Sequence, residues 1–113
     1  MTANACPLPD LATRAPAIEV PAGACDAHFH LFEGPLAANP PYLPPAAGLA
    51  EYRAMLAALG VTRAVVVHTA LPRDYEVTIR ALGEAGGQWR AIALPDAAFD
   101  ERLLERLHAA GFR

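Results

Sequence analysis

The sequence predicts an α/β fold built from three consecutive strand-helix units. Three short apolar runs suited to strands alternate with three segments in which apolar residues recur every three or four positions, as on one face of a helix. A short signature also recurs, in which a glycine ends a helix and an arginine opens the next strand. Its three copies are Gly60-Val61-Thr62-Arg63, Gly87-Gln88-Trp89-Arg90 and Gly111-Phe112-Arg113. Such alternation is typical of a parallel sheet with right-handed crossovers.

The first predicted strand covers Ala24–Leu31. Because side chains alternate between the two faces of a strand, three polar residues are expected on one face: Asp26, His28 and His30. The apolar residues between them are expected on the other face. Five prolines between positions 32 and 48 then exclude a regular helix or central strand, so a long loop is predicted there.

The remaining elements follow from the same two patterns. A first helix is predicted over 49–59, and the uninterrupted apolar run Ala64–Val67 predicts a strand buried on both faces. A second helix is predicted to be capped at its N-terminus by Asp74. A third strand is predicted over Ala91–Leu94, and a third helix is predicted to be capped by Asp100.

The length of the units favours a closed barrel, although periodicity alone also allows an open, doubly wound sheet. Three units occupy the 90 residues from Ala24 to Arg113. At about 30 residues per unit, eight units would need about 240, near the roughly 250 of a typical (β/α)₈ barrel. Residues 23–113 are therefore predicted to be the N-terminal three units of an incomplete barrel, preceded by a proline-containing tail over residues 1–22.

Composition narrows the classes of partner. The chain has 113 residues, of which 54% are hydrophobic and 19% charged, and its net charge of -3 with scattered basic residues offers no patch for nucleic acid or an anionic membrane. The sequence shows neither a signal-peptide core nor an apolar run of transmembrane length. Two cysteines without a CxxC spacing fit a reducing compartment. We therefore expect a cytoplasmic protein without a nucleic-acid or membrane partner, and its oligomeric state stays open.

The main candidates for chemistry are His28 and His30, at the end of the first predicted strand, where a barrel carries its active site. Two imidazoles on one strand can ligate a divalent metal or form hydrogen bonds with a substrate carbonyl or carboxylate. The alternative is an inert pair inside a core. Asp26 is expected on the same face, where it could orient an imidazole or bond to the backbone instead.

Four further side chains are candidates for substrate binding. Tyr42, in the proline-rich loop, could donate to a carboxylate, although an exposed or loop-packing tyrosine is the alternative. His68 and Thr69 directly follow the second strand and could donate hydrogen bonds at the same rim. Arg73 could pair with a carboxylate or remain a solvated side chain. His108, late in the third helix, is interpreted as structural.

Three stretches of the sequence resemble the opening of the amidohydrolase-2 group: Gly23–Phe32 with its Asp-x-His-x-His motif, Tyr42–Ala46 with Tyr-x-Pro-Pro, and Leu59–Val67 with Leu-Gly-Val-Thr-Arg. Within that group the chain is similar to 2-pyrone-4,6-dicarboxylate lactonase-like hydrolases. The resemblance implies a barrel hydrolase of aromatic compound degradation that opens a lactone ring of a small anionic substrate. It also implies that His28 and His30 are the inward histidine pair and that Tyr42 contacts substrate.

The resemblance leaves the cofactor open between none and a divalent metal such as zinc. Most of the superfamily uses the histidine pair, here His28 and His30, as metal ligands, whereas the pyrone-lactonase branch works without a bound metal. A metal-dependent decarboxylase is therefore one alternative. A truncated, non-catalytic chain is another, because the family's further histidine and catalytic aspartate come from the second half of the barrel. The segment His68–Tyr75 also departs from the family pattern, which leaves the substrate's identity open.

Overall fold

A computed structural model describes residues 4–113, in which strands and helices alternate. The elements are β1 (Cys25–Phe29), α1 (Leu49–Leu59), β2 (Arg63–Val67), α2 (Glu76–Glu84), β3 (Trp89–Ile92) and α3 (Glu101–Ala110). The strands form one sheet in the order β1-β2-β3, and both neighbouring pairs are parallel. The predicted α/β class is therefore confirmed, and the carboxyl ends of all three strands lie at the same edge.

The hydrophobic core lies between one face of the sheet and the helices. Its buried residues include Phe29, Ala64, Val66, Trp89 and Ala91 from the sheet and Tyr52, Leu56, Ala81, Leu82 and Leu107 from the helices. Trp89 is 5% exposed, and its indole Nε1–H donates to the Thr62 carbonyl over 3.1 Å. On the opposite face of the sheet Ile92 is 46% exposed, so the two faces differ clearly in burial.

The parallel order continues one position beyond β3. Gly111 ends α3 in the left-handed conformation with φ of 111°, and the next residue, Phe112, forms a parallel bridge with Ala91. The Arg113 N–H donates to the Ala91 carbonyl over 2.9 Å. The third copy of the glycine-to-arginine signature thus enters a strand position, as the first two copies do.

Helix boundaries were predicted with mixed success. The bounds of α1 and the role of Asp100 are confirmed, because the Asp100 carboxylate accepts from the Leu103 N–H over 2.8 Å. The prediction for Asp74 was wrong, since Tyr75 occupies the N-cap position of α2. Asp74 instead accepts from the Glu76 N–H over 3.2 Å, as in an Asx turn that precedes the helix. None of the helices described in residues 4–113 is long and apolar enough to span a membrane.

β1 contains an irregularity that changes which side chains share a face. Asp26 pairs with Ala64, and Phe29 pairs with Val66, so three steps along β1 match two steps along β2. This is the count of a β-bulge, with one extra residue in β1. Because paired residues point to the same side, Asp26 faces the helices together with the buried Ala64. The expectation that Asp26 shares a face with the histidine pair was therefore wrong.

The first described residues of the N-terminal tail, 4–6, lie along the proline-rich loop. The Cys6 N–H donates to the Leu43 carbonyl, and the Leu43 N–H donates to the Asn4 carbonyl, both over 3.0 Å. These bonds form a parallel bridge between Ala5 and Leu43. Residues 1–3 of the predicted tail lie outside the described residues.

Candidate functional site

His28 and His30 lie at the carboxyl end of β1 with their rings side by side. The ring centroids are 5.0 Å apart and the ring planes form an angle of 85°. Both residues are exposed, whereas Phe29 and Leu31 are buried against the helices. The imidazoles therefore project from the sheet face opposite the core, as expected for a pair that can meet a ligand.

A backbone carbonyl fixes the orientation of the His30 ring. Nδ1 of His30 is 2.7 Å from the carbonyl oxygen of Val67, the last residue of β2. A carbonyl oxygen only accepts hydrogen bonds, so Nδ1 carries the proton in this contact. Neutral His30 then presents Nε2 as an acceptor, and protonated His30 presents it as a donor.

Asp26 supports the backbone of His28 and not its ring. One carboxylate oxygen of Asp26 accepts from the His28 N–H over 3.1 Å, and the other accepts from the Tyr52 hydroxyl over 2.8 Å. Among the hydrogen bonds of residues 4–113, none joins Asp26 to an imidazole, so of the two alternatives left open for Asp26 the structure shows the bond to the backbone. Burial and the hydrogen bond to Asp26 raise the pKa of Tyr52, so its hydroxyl remains a donor at ordinary pH.

Tyr52 is a site residue that the sequence pattern missed. Helical spacing places it among apolar residues of α1, which correctly predicts a core position but says nothing of its hydroxyl. A buried tyrosine normally needs a partner for its O–H, and that general rule is the one signal that could have pointed to Asp26.

A cleft of about 350 Å³ opens at the carboxyl ends of β2 and β3. Three of the four predicted binding residues line it, His68, Thr69 and Arg73, together with Asp74, Tyr75, Leu94 and Asp96. Val67 links this cleft to the histidine pair, because its carbonyl meets His30 and the next residue is His68. Neither His28 nor His30 lines this cleft, and His30 lines a separate pocket beside α1 with Glu51 and Tyr52. The histidine pair and the cleft are therefore neighbours that are joined through Val67.

Within the cleft, His68 packs against Tyr75. Burial lowers the pKa of the His68 imidazole below its ordinary value of 6.5, and the nearby Asp74 carboxylate opposes that shift. The Tyr75 hydroxyl donates to the Leu94 carbonyl over 2.9 Å, which anchors the ring against which His68 lies. His68 is accordingly neutral near pH 7 and can act as either donor or acceptor.

Arg73 already has an anionic partner. Its Nε and Nη2 atoms each lie 3.4 Å from one carboxylate oxygen of Asp74, and its side chain is 65% exposed. Exposed ion pairs of this kind contribute little stability. A substrate carboxylate that competes with Asp74 for Arg73 would therefore displace only a weak interaction. Tyr42 is 37% exposed in the loop and is not among the residues that line the cleft around His68.

The histidine pair alone does not complete a metal site. A catalytic zinc ion is usually held by three protein ligands, with water in the fourth position. Residues 4–113 contain no group of three or more His, Cys, Asp or Glu side chains arranged to hold a metal ion. Asp26 faces the helices and is bonded to Tyr52, so it does not add a ligand beside His28 and His30. These residues therefore do not fit a complete zinc site by themselves.

Known proteins are similar to this chain in sequence and in structure. The sequence profile of the amidohydrolase family matches residues 25–113. The chain is 36% identical over 103 residues to a 2-pyrone-4,6-dicarboxylate hydrolase from Comamonas testosteroni, covering 87% of this chain and 34% of the relative. It is 35% identical over 100 residues to a 4-sulfomuconolactone hydrolase from Rhizobium radiobacter, covering 83% of this chain and 33% of that relative.

A solved structure shows the same arrangement of elements. An Agrobacterium tumefaciens protein, crystallised in its apo form, matches with a TM-score of 0.69 and 30% identity, covering 92% of this chain and 38% of that protein. The chain spans about a third of the length of the two curated relatives. Because the family profile covers nearly all of the sequence from β1 onward, the chain belongs to the amidohydrolase family.

Proposed function

We propose that the protein carrying this sequence hydrolyses the lactone ring of a small anionic molecule, with His28 and His30 contacting the reacting group. The observation that carries the proposal is the pair of adjacent imidazoles on the exposed face at the carboxyl end of β1. The names of the two relatives, a pyrone-dicarboxylate hydrolase and a sulfomuconolactone hydrolase, support this substrate class.

The proposal includes the fold of the whole protein. We take residues 23–113 as the first three strand-helix units of a (β/α)₈ barrel, preceded by the tail over residues 1–22. The parallel strand order, the unit length and the bridge from Phe112 to β3 support this arrangement. In such a barrel the carboxyl ends of the strands carry the active site, which is where the histidine pair and the cleft lie.

The two histidines can serve the two needs of ester hydrolysis. Attack of water on the lactone carbonyl places negative charge on the carbonyl oxygen, which an imidazole N–H of His28 can stabilise by donating a hydrogen bond. Neutral His30, held through Nδ1 by the Val67 carbonyl, offers Nε2 as a hydrogen-bond acceptor that orients the attacking water. The general base that takes the proton of this water is the catalytic aspartate that the family resemblance assigns to the second half of the barrel. As the C–O ester bond breaks, the general base passes the proton taken from water to the ring oxygen, and the new carboxyl group releases its own proton to solvent and becomes a carboxylate.

Side chains at the rim of the cleft would then position the substrate. His68 and Thr69 line the cleft next to the end of β2, within the same group of strand ends. The Thr69 hydroxyl oxygen accepts from the Leu71 N–H over 3.3 Å, which leaves its own proton available to a substrate oxygen. In this proposal Arg73 and Tyr42 contact substrate carboxylates once the ligand is bound.

The proposed location is the cytoplasm, within the breakdown of aromatic compounds. Cys6 and Cys25 are both free thiols, and Cys25 is exposed, which is compatible with a reducing compartment.

The test uses the natural gene product that carries this sequence, with 2-pyrone-4,6-dicarboxylate as substrate and base consumption at constant pH as the readout. Replacing His28→Ala or His30→Ala should lower kcat/KM by about 10² to 10⁴. His108→Ala, on the exposed side of α3, is the matched control and should change it less than twofold. An unchanged rate in the His28→Ala/His30→Ala double variant would overturn the proposal. Release of carbon dioxide in place of base consumption would support the decarboxylase alternative.

A further inference from the structure

Helix α1 contacts the histidine strand on both sides of the bulge. The Tyr52 hydroxyl donates to Asp26, which precedes His28, over 2.8 Å. The Tyr52 ring stacks on Phe29, which follows His28, with centroids 3.5 Å apart and planes 7° from parallel. One side chain of α1 therefore holds both neighbours of the irregular position in β1.

The Asp26 carboxylate supplies a hydrogen-bond acceptor at the bulge in β1. An extra residue in one strand leaves a backbone N–H without its partner in the ladder, and such a group needs another acceptor. The Asp26 carboxylate accepts from the His28 N–H over 3.1 Å, inside the stretch where the register with β2 shifts. The carboxylate thus replaces the missing ladder partner at His28, whose side chain is exposed.

The bonds of Asp26 form a continuous link from α1 to His28. Tyr52 is 9% exposed, so its hydroxyl holds the carboxylate in one orientation away from most competition by water. A carboxylate held by a tyrosine hydroxyl can in turn hold the His28 backbone at a fixed place. The face on which the histidine pair projects depends on this bulge, because a shift of one residue moves a side chain to the other face.

We infer that Tyr52 is a positioning residue for His28, acting through Asp26 and Phe29 on the bulge in β1. The inference rests on the proposed function for its kinetic consequence, but the structural link can be measured without any activity. Among the side-chain hydrogen bonds and ring contacts of residues 4–113, those of Tyr52 go to Asp26, Phe29 and Trp89 and not to an imidazole. Its effect reaches the reaction through the place that it gives to the His28 backbone.

The decisive variant is Tyr52→Phe, which removes the hydroxyl and keeps the aromatic ring that stacks on Phe29. In the natural gene product we expect kcat for lactone hydrolysis to fall about tenfold, with KM within about twofold, because small displacements of reacting groups cost up to about 10²-fold in rate. Arg53→Gln is the control on the same helix, since it removes the exposed ion pair with Glu84 over 3.5 Å and leaves the contacts of Tyr52 with β1 in place, and it should leave kcat unchanged.

Non-additivity separates positioning from general loss of structure. Asp26→Ala should lower kcat at least as much as Tyr52→Phe, and the double variant should be no worse than Asp26→Ala alone, because both changes break the same link. Losses that multiply in the double variant would overturn the inference. Kinetics are compared at a temperature where urea titration shows each variant to be fully folded.

Nuclear magnetic resonance gives the readout that does not need activity. The amide signal of His28 should shift in Tyr52→Phe, and in the unmodified protein a scalar coupling across the hydrogen bond should connect the His28 amide nitrogen with the Asp26 carboxyl carbon. Measurement of this coupling in the unmodified protein also covers the case in which Tyr52→Phe does not fold. If the His28 amide shows no coupling to Asp26, the inference is overturned even if the protein hydrolyses lactones. If the His28 amide is coupled to Asp26 in a protein that hydrolyses no lactone, the structural link between α1 and His28 is supported and the proposed function is overturned.

Discussion

The imidazole of His68 lies 4.0 Å from the phenol ring of Tyr75, measured between ring centroids, with 32° between the ring planes. His68 follows β2 and Tyr75 precedes α2, so the contact joins a strand end to the start of the next helix. The Tyr75 hydroxyl is bonded to the backbone of Leu94, which lies two residues beyond the end of β3. A single aromatic contact therefore connects the rims of two strands within the cleft.

We expect the pKa of His68 to be below its ordinary value of 6.5, because burial against Tyr75 penalises the charged imidazole more than Asp74 stabilises it. Titration of the imidazole carbon-bound protons by nuclear magnetic resonance measures it directly. Tyr75→Ala should move the pKa of His68 back toward 6.5 by exposing the ring. A pKa above 6.5 in the unmodified protein would show that the Asp74 carboxylate dominates.

The same shift predicts how stability depends on pH. Because the folded protein binds the His68 proton less readily than the unfolded chain, the unfolded chain holds more protons between the two pKa values. The contribution of His68 to the free energy of unfolding is therefore full above pH 6.5 and decreases as the pH falls below 6.5. Urea titrations of the unmodified protein and of His68→Gln should diverge in this range, with the variant showing the weaker dependence on pH.

The carboxylates that line the cleft are expected to repel anionic substrates. Asp74 and Asp96 line the cleft with Arg73, whose guanidinium is already paired with Asp74. Asp96→Asn should raise kcat/KM for 2-pyrone-4,6-dicarboxylate about two- to fivefold, as expected for removing one exposed like charge. Its amide oxygen can still accept from the Ala98 N–H, as the carboxylate does over 2.8 Å.

The control for Asp96→Asn is Glu105→Gln, which changes the net charge equally at an exposed position of α3 outside the cleft lining. Added salt should reduce the difference between Asp96→Asn and the unmodified protein, because ions screen exposed charges. A gain of the same size in Glu105→Gln would attribute the effect to net charge and not to the cleft.

The alternation of elements could be predicted from sequence because its determinants are local. The apolar spacing of α1, the cap at Asp100 and the glycines that end helices each depend on residues within one turn. The third signature, at Gly111, was interpreted correctly for the same reason, and its bridge to β3 confirms the interpretation. Local patterns of this kind survive in the folded chain because tertiary packing reinforces them.

The errors concern features that depend on distant partners. β3 begins at Trp89, two residues before the predicted start, because its pairing with β2 and the burial of the indole set its position. The bulge in β1 depends on Tyr52, which follows 26 residues after Asp26 and has no local sequence signature. The pairing of Arg73 with Asp74 joins neighbours in sequence, but it depends on side-chain rotamers that the sequence does not specify.

The single tryptophan reports on the core. Trp89 is 5% exposed, packs edge-on against Phe29 and Tyr52, and donates its Nε1–H to Thr62. Its fluorescence should be blue-shifted in the native protein and shift to longer wavelength on unfolding in urea. Trp89→Phe leaves the Thr62 carbonyl without this donor and opens space in the core, so it should cost about 1–3 kcal/mol of unfolding free energy. Native emission like that of the urea-unfolded chain would contradict the buried position.

The start of α3 is stabilised by the cap at Asp100. Asp100→Ala removes the acceptor for the Leu103 N–H and should lower the unfolding free energy by about 0.5–2 kcal/mol. Asp100→Asn keeps a side-chain acceptor and should retain most of that energy, while Glu105→Ala, on the exposed face of the same helix, should stay within about 0.5 kcal/mol. Urea denaturation followed by circular dichroism measures all three. Equal losses in Asp100→Ala and Asp100→Asn would show that the charge at the helix N-terminus, and not the hydrogen bond, stabilises α3.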